Sequence, residues 1–336
     1  MKSKHVRTAV KLILVIAFLG LMAKKGFISR EATGRAFEHW DLLLEAWVVS
    51  LLCLFAGWMR WQILLRTQGI HLPLSRTMQL GLVGNFFNVL IPGAVSGDFV
   101  KAYYIGNEIS GKRAQAFGSI LFDRIVGLSA LVVVSAVALV MGFHRFEGTA
   151  LLSGIKVFMS ISASAVVVFY SYLFFVREHH DPFLKILRGL EKRWPHAGWI
   201  SSIVRIYESV RYYHHHRAAV LMTLALSFAI HLGVGWTCLQ YAHALGEQHL
   251  PLIGFYVVVP IGLLVTAIPV APAGVGTGHA AFLYLFHLIG SDRGADVYTL
   301  VALSNLTFGL IGALNYLQFK AKAPKMMTDV EAAGNT

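Results

Sequence analysis

Asp98, Lys101, Asp123 and Arg124 are ionisable residues set inside apolar sequence, and that setting limits what they can do. A charge at membrane depth is costly unless it has a partner or a wet cavity, so such residues mark ion, proton or substrate paths by default. Asp98 and Lys101 stand at i, i+3, so on a helix they can pair. The planar guanidinium of Arg124 offers several donors and suits a phosphate oxygen better than an ammonium does. Two readings stay open: a structural ion pair at a chain reversal, or a polar path for a lipid headgroup or a proton. Asn85 and Asn88 precede the cluster, and Asn305 and Asn315 lie in the last apolar run. Side-chain amides at such places hydrogen-bond between helices more often than they bind substrate. Among the histidines, His231, His279 and His287 read as hydrogen-bonded packing groups, with His279 the best site candidate because of its position. His214, His215 and His216 fall on successive helix faces and cannot chelate one ion well.

The elements that must hold these residues are two interrupted apolar stretches. In the first, a helix-compatible run from Met78 to Ile91 meets Pro92-Gly93, which removes a backbone donor and accepts a turn. Gly97 and Asp98 follow at the start of the next segment, where free N–H groups favour an anion. The second runs from Pro269 to Phe282 and is broken at Pro272, Gly274, Gly276 and Gly278. At an offset of 181 residues, Gly81, Leu82, Gly93 and Gly97 fall on Gly262, Leu263, Gly274 and Gly278, with Asp98 opposite His279. Interrupted segments at matching places in two halves are the mark of a transporter-like repeat and its binding site.

Composition agrees with a membrane setting. The 336 residues are 56% hydrophobic and 14% charged, with a mean hydropathy of +0.63 and a formal charge of +12. Cys53 and Cys238 lie in apolar runs, so no disulfide framework or cysteine metal site is expected. No nucleophile and base recur at a readable spacing, so an enzyme is not expected, nor is a cofactor, a metal or a nucleic-acid partner.

Apolar runs at 12–23, 42–65, 117–141, 153–176, 218–245 and 297–319 give about six spans, the first read as an uncleaved anchor. Two re-entrant hairpins, at about 77–104 and 250–290, complete a single all-α polytopic membrane domain in inverted repeats. Between them, 177–217 holds eight Lys/Arg against four acids, with apolar residues at near-helical spacing, and reads as amphipathic helices on an anionic leaflet. The tail from 321 to 336 is expected to be disordered. Loop charge places both termini in the cytoplasm, although the loop at 24–41, with four Lys/Arg beside three acids, weakens the assignment of the first span.

In order along the chain, GNFFNVLIPGAVSGDFVKAY, SILFDRIVGL and IPVAPAGVGTGHAAF together resemble the transmembrane flippase domain of the lysylphosphatidylglycerol synthase family, which includes stand-alone proteins of this length. The resemblance covers nearly the whole chain. It implies a domain that moves an aminoacylated phospholipid to the outer leaflet, without the separate soluble domain that makes that lipid. The family's membrane aspartate and arginine would fall on Asp98 and Arg124. Where the second hairpin often carries an acid, this chain has His279.

The expectation is therefore a lipid translocase of a bacterial inner membrane, with membrane lipids as partners and a possible homo-oligomer. The lipid would be an anionic phospholipid or a polyprenyl-linked one. A secondary transporter of a small anion, or an accessory subunit of an envelope-lipid pathway, are the alternatives.

Overall fold

The computed structural model describes residues 30–91, 96–109, 111–142, 150–177, 180–266 and 276–333, with backbone alone for 30–33, 150–151 and 318–333. The first apolar run at 12–23 and the turn residues Pro92, Gly93, Pro272 and Gly274 lie outside them. Everything regular among the described residues is helical. The helices are α1 Arg30–Glu38, α2 Trp40–Thr67, α3 Leu74–Leu90, α4 Ser96–Glu108, α5 Arg113–Met141 and α6 Ala150–Phe175. They continue as α7 Pro182–Arg193, α8 Gly198–Arg211, α9 Arg217–Ala244, α10 Leu252–Thr266, α11 Thr277–His287 and α12 Gly294–Ala333, with a 3₁₀ turn at Tyr212–His215.

Five of these, α2, α5, α6, α9 and α12 over Gly294–Leu317, are long and apolar enough to cross a bilayer. They match the apolar runs read from the sequence within a few residues. The chain is a multi-pass membrane protein. Helix α12 continues as far as Ala333, into the stretch expected to be a disordered tail.

Two pairs of shorter helices complete the bundle: α3 with α4, and α10 with α11. Helix α3 lies along α12 and α2 along α9, while α10 packs on α5. Close crossings explain the pairing. A Cβ at Gly312 of α12 would fall 2.1 Å from the Leu82 carbonyl oxygen of α3, so only glycine lets those backbones meet. The main apolar core, including Leu139, Leu245, Phe255, Phe282, Phe286 and Val297, lies toward the end of the bundle where α5 stops and α10 begins. Smaller clusters around Trp61, Leu80 and Ile105, and around Leu64, Phe122 and Tyr213, fill the end where α2 stops and α5 begins.

At that second end the connections are tied by named bonds. Arg76 pairs with Glu108 across the open end of the α3–α4 hairpin. Lys112 Nζ donates to the Gly69 carbonyl at 2.8 Å, and Tyr213 OH to the Leu64 carbonyl at 3.0 Å. The α10–α11 hairpin opens at the opposite end, where Gly254 leaves room for the Ile289 side chain.

Candidate functional site

At the start of the second arm of each pair of short helices, a side chain takes up a backbone N–H. In the first, the Gly97 N–H donates to Asn88 Oδ1 at 2.7 Å, and Ser96 Oγ donates to the Phe87 carbonyl at 3.1 Å. Asn88 therefore belongs to the joint between α3 and α4. Asn85, one turn earlier on α3, is half-buried. Gly97 is required there, because a Cβ would lie 2.0 Å from the Gly84 carbonyl oxygen. In the second break, Gly276 takes φ +89°, a region L side chains rarely adopt, and its N–H donates to His279 Nδ1 at 3.3 Å. His279 is buried, with its Nε2 3.2 Å from Thr299 Oγ1. A Cβ on Gly278 would meet the Tyr298 ring at 2.1 Å.

Asp98 is the third residue of α4, at the end of the helix whose free N–H groups favour a negative charge. It is buried, and two cations reach it. Lys101 Nζ lies 2.6 Å from Oδ1 as the i, i+3 spacing leads one to expect, and Arg124 Nε lies 2.5 Å from Oδ2. Lys101 is enclosed, with its ammonium 5.1 Å from the centre of the Trp61 ring. Trp61 is itself buried and donates to Ser119 Oγ at 3.3 Å.

Arg124 is held differently. Its side chain is 40% exposed, and only Nε is engaged: among the described residues Nη1 and Nη2 have no hydrogen-bond partner. On α5 it shares one face with Phe117, Leu121 and Leu128, at i−7, i−3 and i+4. Leu121 and Leu128 are exposed, and Phe99 of α4, also exposed, brings its ring within 6.5 Å of that of Phe117. A half-used guanidinium thus sits in an apolar face, with a buried carboxylate behind it.

Asp123, expected in the same path, turns elsewhere. Successive residues on a helix point about 100° apart, and Asp123 faces α2. There Arg60 grips it with both arms of its fork, Nε to Oδ1 at 2.7 Å and Nη2 to Oδ2 at 2.9 Å. Arg60 Nη1 also donates to Ser227 Oγ of α9 at 2.9 Å. His231 on α9 lies with Nε2 2.9 Å from the Gly127 carbonyl oxygen, so this second polar layer ties α2, α5 and α9 together. Arg60 is not among the residues that the sequence singles out. The signal that finds it is its depth: a cation well before the end of α2 needs an anion, and Asp123 is an acid at a comparable depth on α5.

A third buried pair was not anticipated. Asp181 is fully buried at the start of α7, where it caps the helix by accepting from the Leu184 N–H at 3.0 Å. It also accepts from Tyr172 OH at 2.6 Å and Tyr207 OH at 2.9 Å, and pairs with Arg211 Nε at 2.9 Å. Burial opposes its charge. The hydrogen bonds from Tyr172, Leu184 and Tyr207 and the Arg211 guanidinium outweigh that cost and hold its carboxyl below the usual carboxylate range. Among the described residues no group of three or more metal-ligating side chains comes together.

The comparisons with known proteins agree with this architecture. The family described as the lysylphosphatidylglycerol synthase TM region matches residues 8–314, so the chain belongs to that family. A UPF0104 membrane protein of Methanothermobacter thermautotrophicus is 25% identical over 335 residues, covering 90% of each chain. No solved structure matches.

Proposed function

We propose that this member of the family is a lipid translocase, and that Arg124 takes the anionic headgroup of its substrate. The observation that carries the reading is the divided guanidinium, with Nε committed to Asp98 and both Nη groups open, among the described residues, beside exposed apolar residues. That combination fits a molecule with a phosphate at one end and hydrocarbon at the other. The forked Nη pair can donate to two phosphate oxygens, a geometry lysine cannot supply. Acyl chains would remain along Leu121, Leu128 and Phe99, which already face outward.

Lys101 makes such binding compatible with the fold. When Arg124 turns toward a phosphate, Asp98 keeps a cation at 2.6 Å, so no buried carboxylate is left bare. Two cations share one carboxylate, and the cluster therefore carries one positive charge that a headgroup anion completes. The two hairpins open at opposite ends of the bundle, which supports an inverted-repeat arrangement with access from alternate sides. Lys and Arg are concentrated at the end where α2 stops and α5 begins. By the loop-charge rule that end faces the cytoplasm, with the protein in the cytoplasmic membrane.

The test is reconstitution into vesicles containing a trace of headgroup-labelled phosphatidylglycerol, read by a membrane-impermeant quencher. Wild-type protein should expose inner-leaflet label faster than empty vesicles do, and Arg124→Ala should fall to the empty-vesicle rate. Wild-type vesicles that match empty ones overturn the reading. Uptake of a small anion without lipid movement would favour the secondary transporter.

A further inference from the structure

The hairpin formed by α7 and α8 has more apolar surface than its own packing uses. Leu184 of α7 packs against Ile200 and Val204 of α8, and that seam is buried. Outside it, Phe183, Ile186 and Leu190 form a second apolar row on α7 at i, i+3 and i+7, with exposures of 58%, 60% and 36%. On α8, Trp199 and Ile203 at i, i+4 are exposed, as is Trp194 in the turn between the helices. The remaining side of α7 is basic: Lys185, Arg188 and Lys192 recur at i, i+3 and i+7. A helix with a packed seam, an outward apolar row and a cationic row has the pattern of one lying in a membrane surface.

The hairpin is also fixed where such a surface would be. Arg211 at the end of α8 pairs with Asp181 and donates to the Leu173 carbonyl at 3.0 Å and the Tyr172 carbonyl at 3.2 Å, which end the spanning helix α6. Gln68, just after α2, donates to the Ser209 carbonyl at 2.7 Å, and Gly118 of α5 leaves room for the Ser209 side chain. The outward row then begins at the level where the lipid-facing surface of α6 stops. Phe183 meets Tyr172 edge-on, with ring centres 5.7 Å apart, and Phe175 close by in the chain is exposed.

We propose that α7–α8 is a docking element for an anionic leaflet. Its outward apolar side chains bed into the boundary between headgroups and acyl chains, and Lys185 and Lys192 on the other side of α7 supply the positive field that acidic headgroups favour, while Arg188 is paired with Glu208 of α8 at 2.8 Å. The occupant is the lipid surface itself, argued from the cationic row and from continuity with the lipid-facing side of α6. This site is separate from Arg124 and does not depend on what Arg124 binds.

The experiment uses the full chain with Cys53 and Cys238 replaced by alanine and a single nitroxide label at Ile186 or Ile203. Nanodiscs are made of phosphatidylcholine alone, or of phosphatidylcholine with an equal share of phosphatidylglycerol. Accessibility to dissolved oxygen and to a water-soluble nickel chelate is read for each. In the acidic discs both labels should be shielded from nickel and open to oxygen, by a factor of about three or more over the neutral discs, and high salt should reverse the difference. The double variant Lys185→Gln, Lys192→Gln should lose the dependence on acidic lipid while keeping its melting temperature, which separates lost docking from lost folding. Labels open to nickel in acidic discs overturn the proposal, and so does equal shielding in both lipids. Shielding in detergent that grows with protein concentration would instead assign the face to a second copy of the chain.

Discussion

The two hairpins are built on one plan and carry different chemistry. In both, a glycine in the second arm leaves no space for a Cβ, and in both a side chain closes the broken backbone: Asn88 reaches forward to Gly97, and His279 reaches back to Gly276. At the aligned position the first hairpin has a buried carboxylate with two cations, while the second has an imidazole bonded to uncharged groups. The same offset sets Arg124 against Asn305, which is exposed on α12. The difference teaches that a shared backbone device does not require a shared site. Charge can be placed in one half while the other holds its backbone with uncharged groups.

The sharpest way to break the comparison is through the glycines. Gly97→Val would drive a side chain into the Gly84 backbone, and backbone cannot give way as a side chain can. Expected loss is above the usual range for overpacking, more than ~3 kcal/mol, and should appear as failed insertion or aggregation. Gly278→Val meets the ring of Tyr298 instead, and a ring can shift. Its cost should stay within ~1–3 kcal/mol and be read as a lower melting temperature in a protein that still purifies. Equal tolerance of both changes would mean that the hairpins are not closed by close approach.

Next in size is the charge itself. Asp98→Asn leaves Lys101 and Arg124 facing each other without an anion, and should cost about 3 kcal/mol by thermal unfolding. A second change, Lys101→Met, should restore part of that loss, because it removes the cation that Arg124 would otherwise repel. In the second hairpin His279→Ala removes a cap and one hydrogen bond between neutral partners, so about 1 kcal/mol is expected. If His279→Ala proves as damaging as Asp98→Asn, the second hairpin carries a charge-like role and the contrast fails.

Much of this arrangement was legible in the sequence, and what was not has a physical cause. Length and hydropathy located the spans, because a bilayer demands about 20 apolar residues in a row, and the proline and glycine breaks set the two apolar hairpins apart from them. The Asp98–Lys101 pair followed from helical spacing. Asp98 with Arg124 followed from the cost of charge in lipid together with the family resemblance. Arg60 with Asp123 did not, since the pair joins residues 63 positions apart and depends on how α2 and α5 rotate against each other. Asp181 with Arg211 was hidden for the opposite reason. Both lie in a polar region where charges are expected to be solvated, and only the fold shows them fully enclosed.

The smallest expected effect on stability is the most informative about function. Arg124→Lys keeps a cation beside Asp98, and with Lys101 already in place the fold should change by less than ~1 kcal/mol. What it removes is the second and third donors of the fork. If those donors hold a lipid phosphate, labelled-lipid translocation should fall about tenfold, matching the ~1.4 kcal/mol that a charge-assisted hydrogen bond contributes. A structural pair predicts the reverse, little change in translocation for any cation that reaches Asp98. The two can be separated further by exchanging the charges, Asp98→Arg with Arg124→Asp, on a Lys101→Gln background that removes the like-charge clash at position 98. An ion pair that only holds the hairpin to α5 should regain both stability and translocation. A headgroup site should regain stability alone, because the fork would then point from the buried arm rather than from the face beside Leu121 and Leu128. Full translocation in the exchanged protein would reduce Arg124 to a strut, and would make the two hairpins alike in function as they are in backbone.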